Sequence, residues 1–188
     1  DPSASYDIYA LHQASAIINN SEASINIGSP TQTQEATSSS HVAQYDPLYG
    51  SNTGVSIDNM TVALQHLASV LTFKIKNGHS SPIQIASVKV STSNHSKLAG
   101  TYALDLKSGE LSESSTDESI TLSITDAPTL QAGEEMSVWM ATAPFDLAQG
   151  DSLEFTITTS DGAEYRHTQT MGGAVAFAAG KIKSMKQI

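Results

Sequence analysis

Apolar and polar residues alternate strictly from Leu71 to Lys76. Leu71, Phe73 and Ile75 fall on one side, and Thr72, Lys74 and Lys76 on the other. Successive side chains of a strand point to opposite faces, so this stretch predicts a half-buried strand with one wet face. Asn77-Gly78 supplies the turn that ends it. The pattern recurs along the chain. Tyr6, Ile8 and Ala10 alternate with Asp7, Tyr9 and Leu11. Tyr102, Leu104 and Leu106 form another set, as do Ile120, Leu122 and Ile124. Met136, Val138 and Met140 alternate with Trp139 and Ala141, and Leu153, Phe155 and Ile157 with Glu154 and Thr156. Ile83-Gln84-Ile85 and Val88-Lys89-Val90 each alternate but differ in phase by one residue, and an extra residue at Ala86-Ser87 reconciles them as a β-bulge. Asp161-Gly162 between two extended runs predicts a hairpin. Ile17-Ile18 and Ile25-Asn26-Ile27 are short strand candidates, and Ile182 begins a last one.

The stretches between are polar. Thr31 to Ser40 holds no aliphatic residue larger than Ala, so residues 28–45 are expected as one long surface loop. Asp46 to Gly50 is expected as a turn pinning Leu48 and Tyr49 to the body, with a loop over Ser51 to Gly54. Glu110 to Ser119 is expected as an acidic, Ser-rich loop. Leu64, Leu67, Ala68 and Leu71 match a helical period, but the strand at Leu71 competes, which leaves a turn or two of helix at most. Seven to nine short strands separated by turn signals predict an all-β sandwich in two sheets. The composition does not break between residues 60 and 188, so residues 1–188 are expected to form a single domain.

Charge and chemistry narrow the function. The formal net charge is −10 with only nine Lys and Arg, which argues against nucleic acid or an anionic membrane as the main partner. Without cysteine there is no disulfide and no thiolate chemistry. No apolar run is long enough for a transmembrane helix. The chain begins at Asp1, as after removal of a signal peptide. No two of the six histidines lie within six residues of each other, so a metal site would need residues distant in sequence, and no cofactor is expected. Neither a phosphate-binding glycine loop nor a Gly-x-Ser-x-Gly elbow is present. The carboxylate pairs Asp117-Glu118 and Glu134-Glu135 are adjacent, so on a strand they face apart and do not form an acid/base pair. A hydrolase would need two carboxylates facing across a cleft. The chemistry therefore predicts no enzyme. Trp139, Tyr49 and Tyr102 are candidate stacking platforms for a surface glycan; the competing reading packs Trp139 in a second layer of the sandwich. Asn59-Met60-Thr61 and Asn94-His95-Ser96 fit the N-glycosylation pattern.

The segments in order resemble a known family. Gln65-His66-Leu67-Ala68 followed by Leu71-Thr72-Phe73-Lys74-Ile75 is similar to a stretch of the Bacteroidetes fimbrillin-like proteins. The similarity continues through Ile85 to Val90, Leu98 to Tyr102, Trp139 to Pro144, Thr159 to Tyr165 and Phe177 to Lys181, with Asp7 to Ala10 and Asp46 to Tyr49 also fitting. The resemblance implies a transthyretin-like β-sandwich, exported through a lipoprotein signal to the outer membrane and cell surface. It implies a non-enzymatic fimbrial (pilus) subunit or adhesin whose partners are other fimbrillin subunits. In polymerising members a protease removes the first strand and a neighbour's terminal strand fills the gap. Carried onto this chain, Tyr6, Ile8 and Ala10 become the candidate exchange residues. The alternative is a surface glycan-binding module that does not polymerise. Two departures stand out. Typical members continue into a second β-domain after the Gly-Lys segment. The one Arg, Arg166, also lies far from the N-terminus, so an Arg-specific maturation site is missing where the family has it.

Overall fold

The computed structural model describes residues 4–13, 17–19 and 21–188. Within them run β1 (Tyr6–His12), β2 (Ile17–Asn19), β3 (Glu22–Ile27), β4 (Thr31–Glu35), β5 (Leu48–Val55), β6 (Gln65–His66), β7 (Ser69–Lys76), β8 (Ile85–Thr92) and β9 (Ala99–Asp105). The order continues with β10 (Leu111–Asp117), β11 (Ser119–Thr125), β12 (Glu135–Thr142), β13 (Phe145–Leu147), β14 (Ser152–Thr159), β15 (Glu164–Thr170), β16 (Val175–Phe177) and β17 (Ile182–Ser184). The helical segments among the described residues are two short 3-10 turns, Ser40–Tyr45 and Ile57–Asn59. The strands form five small sheets: β15-β14-β8-β11-β4, β12-β7-β17, β10-β9-β3-β2, β1-β5-β6 and β13-β16.

The alternation that predicted the strands also sets their inner faces. Leu71, Phe73 and Ile75 of β7 and Met136, Val138 and Met140 of β12 are buried in one cluster with Val88 and Val90 of β8, Ile120 and Leu122 of β11, and Leu153 and Phe155 of β14. Phe73 meets Phe155 edge-on with ring centroids 4.9 Å apart, which joins the three-stranded sheet to the five-stranded one. Each such side chain contributes about 1.5–3 kcal/mol by leaving water. A second cluster gathers Ile25 and Ile27 of β3, Tyr102 and Leu104 of β9, Tyr49 of β5 and Ala68, with Tyr9 and Leu11 of β1 packed against it. The bulge lies where the phase change placed it: across β14 the register steps from Thr158 opposite Ser87 to Thr159 opposite Ile85, leaving Ala86 as the extra residue. β14 and β15 make the expected hairpin around Asp161-Gly162, with Gly162 at positive φ.

The all-β class stands, but seven to nine strands in two sheets is an undercount. The strands that the apolar alternation does not show are β4, β5 and β10, which are largely polar, and β13, whose three residues are too few to show a pattern. Residues 28–45 are not one surface loop: they contain β4, which pairs in parallel with β11, and the Ser40–Tyr45 turn. Gln32 and Gln34 of β4 are buried. A polar strand can be buried when its side chains find hydrogen-bond partners, as these do. Leu48–Val55 is a strand rather than a turn and a loop, because it lies between β1 and β6 in its sheet. Leu111–Asp117 is an exposed edge strand on β9 rather than a loop, held by its backbone ladder while its side chains stay in water. Such edges show no apolar alternation from which to read them.

Candidate functional site

Trp139 lies on the face of β12 opposite Met136, Val138 and Met140, so its ring points away from the main core. It sits across from Thr72, whose hydroxyl donates to the Val138 carbonyl at 2.8 Å. One long edge of β12 pairs with β7. The other edge is closed by side chains from the polar segment. Gln34 Oε1 accepts from the Trp139 amide at 2.9 Å, and Gln34 Nε2 donates to the Ser137 carbonyl at 2.8 Å. One position along, Gln32 Oε1 accepts from the Ala141 amide at 3.1 Å and Gln32 Nε2 donates to the Ala141 carbonyl at 2.6 Å. A primary carboxamide carries one acceptor and two donors, so it can take the place of a peptide group in a ladder. β4 is thus in the five-stranded sheet by its backbone and bound to the three-stranded sheet by its side chains.

His41 completes this edge. Its Nε2 lies 3.0 Å from the Trp139 carbonyl. A carbonyl only accepts, so the proton sits on Nε2, and the buried Nδ1 is left without a partner. Burial lowers the His41 pKa below the ordinary histidine value, against the opposing pull of the Trp139 and Ser38 carbonyls.

The outer face beside Trp139 is a groove of about 410 Å³, lined by Val42, Ala43, Ala68, Val70, Lys181 and Ile182 as well as Trp139. Asp46 and His66 also line it. Asp46 Oδ2 meets His66 Nδ1 at 2.5 Å, and its Oδ1 accepts from the Ala68 amide at 3.1 Å. The carboxylate therefore ties the start of β5 to the chain leading into β7. Among the described residues, no group of three or more His, Asp or Glu side chains is placed to hold a metal ion.

The other candidate platforms are not at this groove. Tyr49 and Tyr102 are 9% and 8% exposed, in the second core. Tyr49 donates its hydroxyl to the Leu106 carbonyl at 2.5 Å. Burial and the nearby Glu113 push the Tyr102 pKa up to about 12. Neither ring offers a free face for stacking. The candidate exchange residues lie in β1, which pairs on one side with β5 and, among the described residues, is otherwise an edge. There the phase departs from the alternation read in the sequence: Tyr9 and Leu11 pack on the second core, while Tyr6, Ile8 and Ala10 are half-buried. A register shift lies between Tyr6 and Ile8, and from Ile8 to His12 the pairing with β5 is regular. Gln32, Gln34 and His41 were not among the residues singled out. The signal that could have found them is the period-two Thr-Gln-Thr-Gln of residues 31–34, a strand pattern without apolar residues.

Comparison with known proteins fits this architecture. The fimbrillin-like family profile matches residues 1–187. The chain belongs to the fimbrillin-like family. Membership points to the cell surface. This fimbrillin-like chain also matches the crystal structure of a candidate cell adhesion protein from Bacteroides ovatus, with a TM-score of 0.59 and 14% sequence identity. The match covers 97% of this chain and 62% of that one, and at this identity it shows a shared fold. Among curated proteins none matches. No helix among the described residues is long and apolar enough to cross a membrane.

Proposed function

We propose that this chain is a non-enzymatic, cell-surface fimbrial subunit or adhesin that associates with other fimbrillin subunits by β-strand exchange. The observation that carries the reading is the attachment of β1. Among the described residues it borders one strand, β5, and it lends Tyr9 and Leu11 to a core that is otherwise built by other elements. Removing it would bare one edge of β5 and the second core beneath, which is the acceptor that strand addition requires. On this reading Tyr9 and Leu11 are the side chains an incoming strand replaces, with Tyr6, Ile8 and Ala10 on its outer side. The β-sheets form one domain with the transthyretin-like sandwich of the family, and the chain reaches the surface as an exported lipoprotein.

The test compares the intact protein with a variant lacking residues 1–15, under native conditions and on an unboiled denaturing gel. A ladder of stable oligomers on removal of the strand supports exchange. A truncated protein that stays monomeric or unfolds counts against it.

The groove favours a second reading, a glycan-binding module that does not polymerise. Trp139 is half-exposed there beside Lys181 and the Asp46–His66 pair. Glycan-array binding that Trp139→Ala abolishes, without loss of thermal stability, would support it; binding to no glycan would remove it.

A further inference from the structure

Lysines gather beside one free sheet edge, and a group of four of the nineteen carboxylates lies along another. Of the nine Lys and Arg residues, five (Lys74, Lys76, Lys181, Lys183 and Lys186) lie on β7 and the run that follows it at the sheet edge. That run continues past β17 to Ile188. The Met185 amide donates to the Thr72 carbonyl at 2.8 Å, the Ile188 amide to Lys74 at 2.9 Å and the Lys76 amide to Ile188 at 2.9 Å. Among the described residues, β17 has β7 on one side and no strand on the other. Glu135 neutralises Lys74 at 3.1 Å, while the other four lysines have no carboxylate within salt-bridge distance among the described residues. The register places Ile182 opposite Val70 and Lys183 opposite the core residue Leu71, so Lys183 is half-buried while Lys181 and Lys186 are exposed.

The opposite sign sits on β10, the edge of the four-stranded sheet. All but one of its side chains are exposed. Glu110, Glu113, Asp117 and Glu118 line it. Lys97 and His95 engage Glu118, at 2.6 and 3.0 Å, and Lys107 lies in the turn before the strand. Glu110, Glu113 and Asp117 remain without an ion-pair partner among the described residues.

We propose that the lysine-bearing edge over residues 181–188 docks against β10 of a second copy of this chain. An edge of one sign repels its own kind, so the contact is between unlike edges. Such a contact does not close on itself and propagates head to tail. Opposite charges on facing strands stabilise the pair, and their long-range attraction speeds encounter. A bulge between Glu113 and Ser115 interrupts β10, so charge rather than a continuous backbone ladder dominates the affinity. This contact extends the subunit reading and rests on it for its purpose, but it needs neither release of β1 nor a protease.

The test is sedimentation of the full chain at about 10 mM and about 1 M salt, where the screening length falls from about 30 Å to about 3 Å. Concentration-dependent association at low salt that disappears at high salt is expected. Two charge-reversed proteins follow, Lys181→Glu/Lys183→Glu/Lys186→Glu and Glu113→Lys/Asp117→Lys, each checked for an unchanged melting temperature. Each alone is expected to associate at least about tenfold more weakly, the loss of two or three exposed ion pairs. Mixed together, they present complementary edges again and are expected to associate at the wild-type level. A wild type that stays monomeric at low salt, or reversed proteins that associate as before, overturns the proposal. So does a mixture that stays monomeric, or association of the lysine edge with an added polyanion and not with a second copy. Strand exchange gives a ladder that resists salt and denaturant and depends on residues 1–15. A salt-resistant ladder unaffected by charge reversal therefore sinks this contact and leaves exchange standing.

Discussion

Replacing Gln34 with Met tests whether the polar segment holds the two sheets together by hydrogen bonds. The side chain is fully buried, with 0% exposure. It donates to the Ala36 and Ser137 carbonyls at 2.7 and 2.8 Å and accepts from the Trp139 amide at 2.9 Å. Met is close to Gln in volume and more apolar, so packing and hydrophobic transfer alone predict a neutral or slightly stabilising change. Hydrogen bonding predicts the opposite. The Trp139 amide and the Ser137 carbonyl lose their partners, and each buried group left unsatisfied costs about 1–3 kcal/mol. Two such groups cost about 2–6 kcal/mol together, and after a gain of about 1 kcal/mol from the more apolar side chain the net loss is about 1–5 kcal/mol. Equilibrium urea unfolding reads this directly, with the slope checked for a constant change in exposed surface. Gln34→Met within about 0.5 kcal/mol of wild type would refute the reasoning, because it would show the amide to be a space-filler.

Three further changes follow from single contacts. Gly50→Ala places a Cβ 2.2 Å from the Ala63 carbonyl oxygen, so the backbone beside β5 must move, and a loss of about 1–3 kcal/mol is expected in the same unfolding assay. The Tyr102 pKa is raised to about 12 from an ordinary 10.0. Its stability contribution is therefore complete below pH about 10 and lost as pH rises toward about 12, and spectrophotometric titration should show a late-titrating phenol that Tyr102→Phe removes. His41 has the reverse sign: its pKa is lowered in the folded state, so the unfolded chain takes up the proton first. Stability then falls as pH drops below the ordinary histidine value of about 6.5, and His41→Gln should flatten that part of the unfolding profile.

What could be read in the sequence was whatever the hydrophobic effect had written there. Leu71-Phe73-Ile75, Ile120-Leu122-Ile124 and Leu153-Phe155-Ile157 bury the residues their alternation assigns inward. The bulge at Ala86 was legible because two apolar phases had to be reconciled. β4, β5 and β10 were not, since backbone pairing and amide side chains hold them and polar residues occur equally in loops. The same blindness hid the site. Trp139 could be placed on the outer face of β12, but Gln34 and His41, which fix its backbone, come from about a hundred residues earlier, as their separations of 105 and 98 show. In β1 the sequence pattern assigned Tyr6, Ile8 and Ala10 to the apolar face. The structure packs the opposite face of the strand, Tyr9 and Leu11, on the core instead.

The most direct test of strand exchange is competition by a peptide of residues 4–13 added to the protein lacking residues 1–15, with the oligomer ladder as readout. The account predicts that the peptide reoccupies the edge of β5, seats Tyr9 and Leu11 on the second core and suppresses the ladder. The same peptide with Leu11→Asp is predicted to leave the ladder intact. A ladder indifferent to both peptides, or suppressed equally by both, would contradict the claim that β1 is the exchangeable strand.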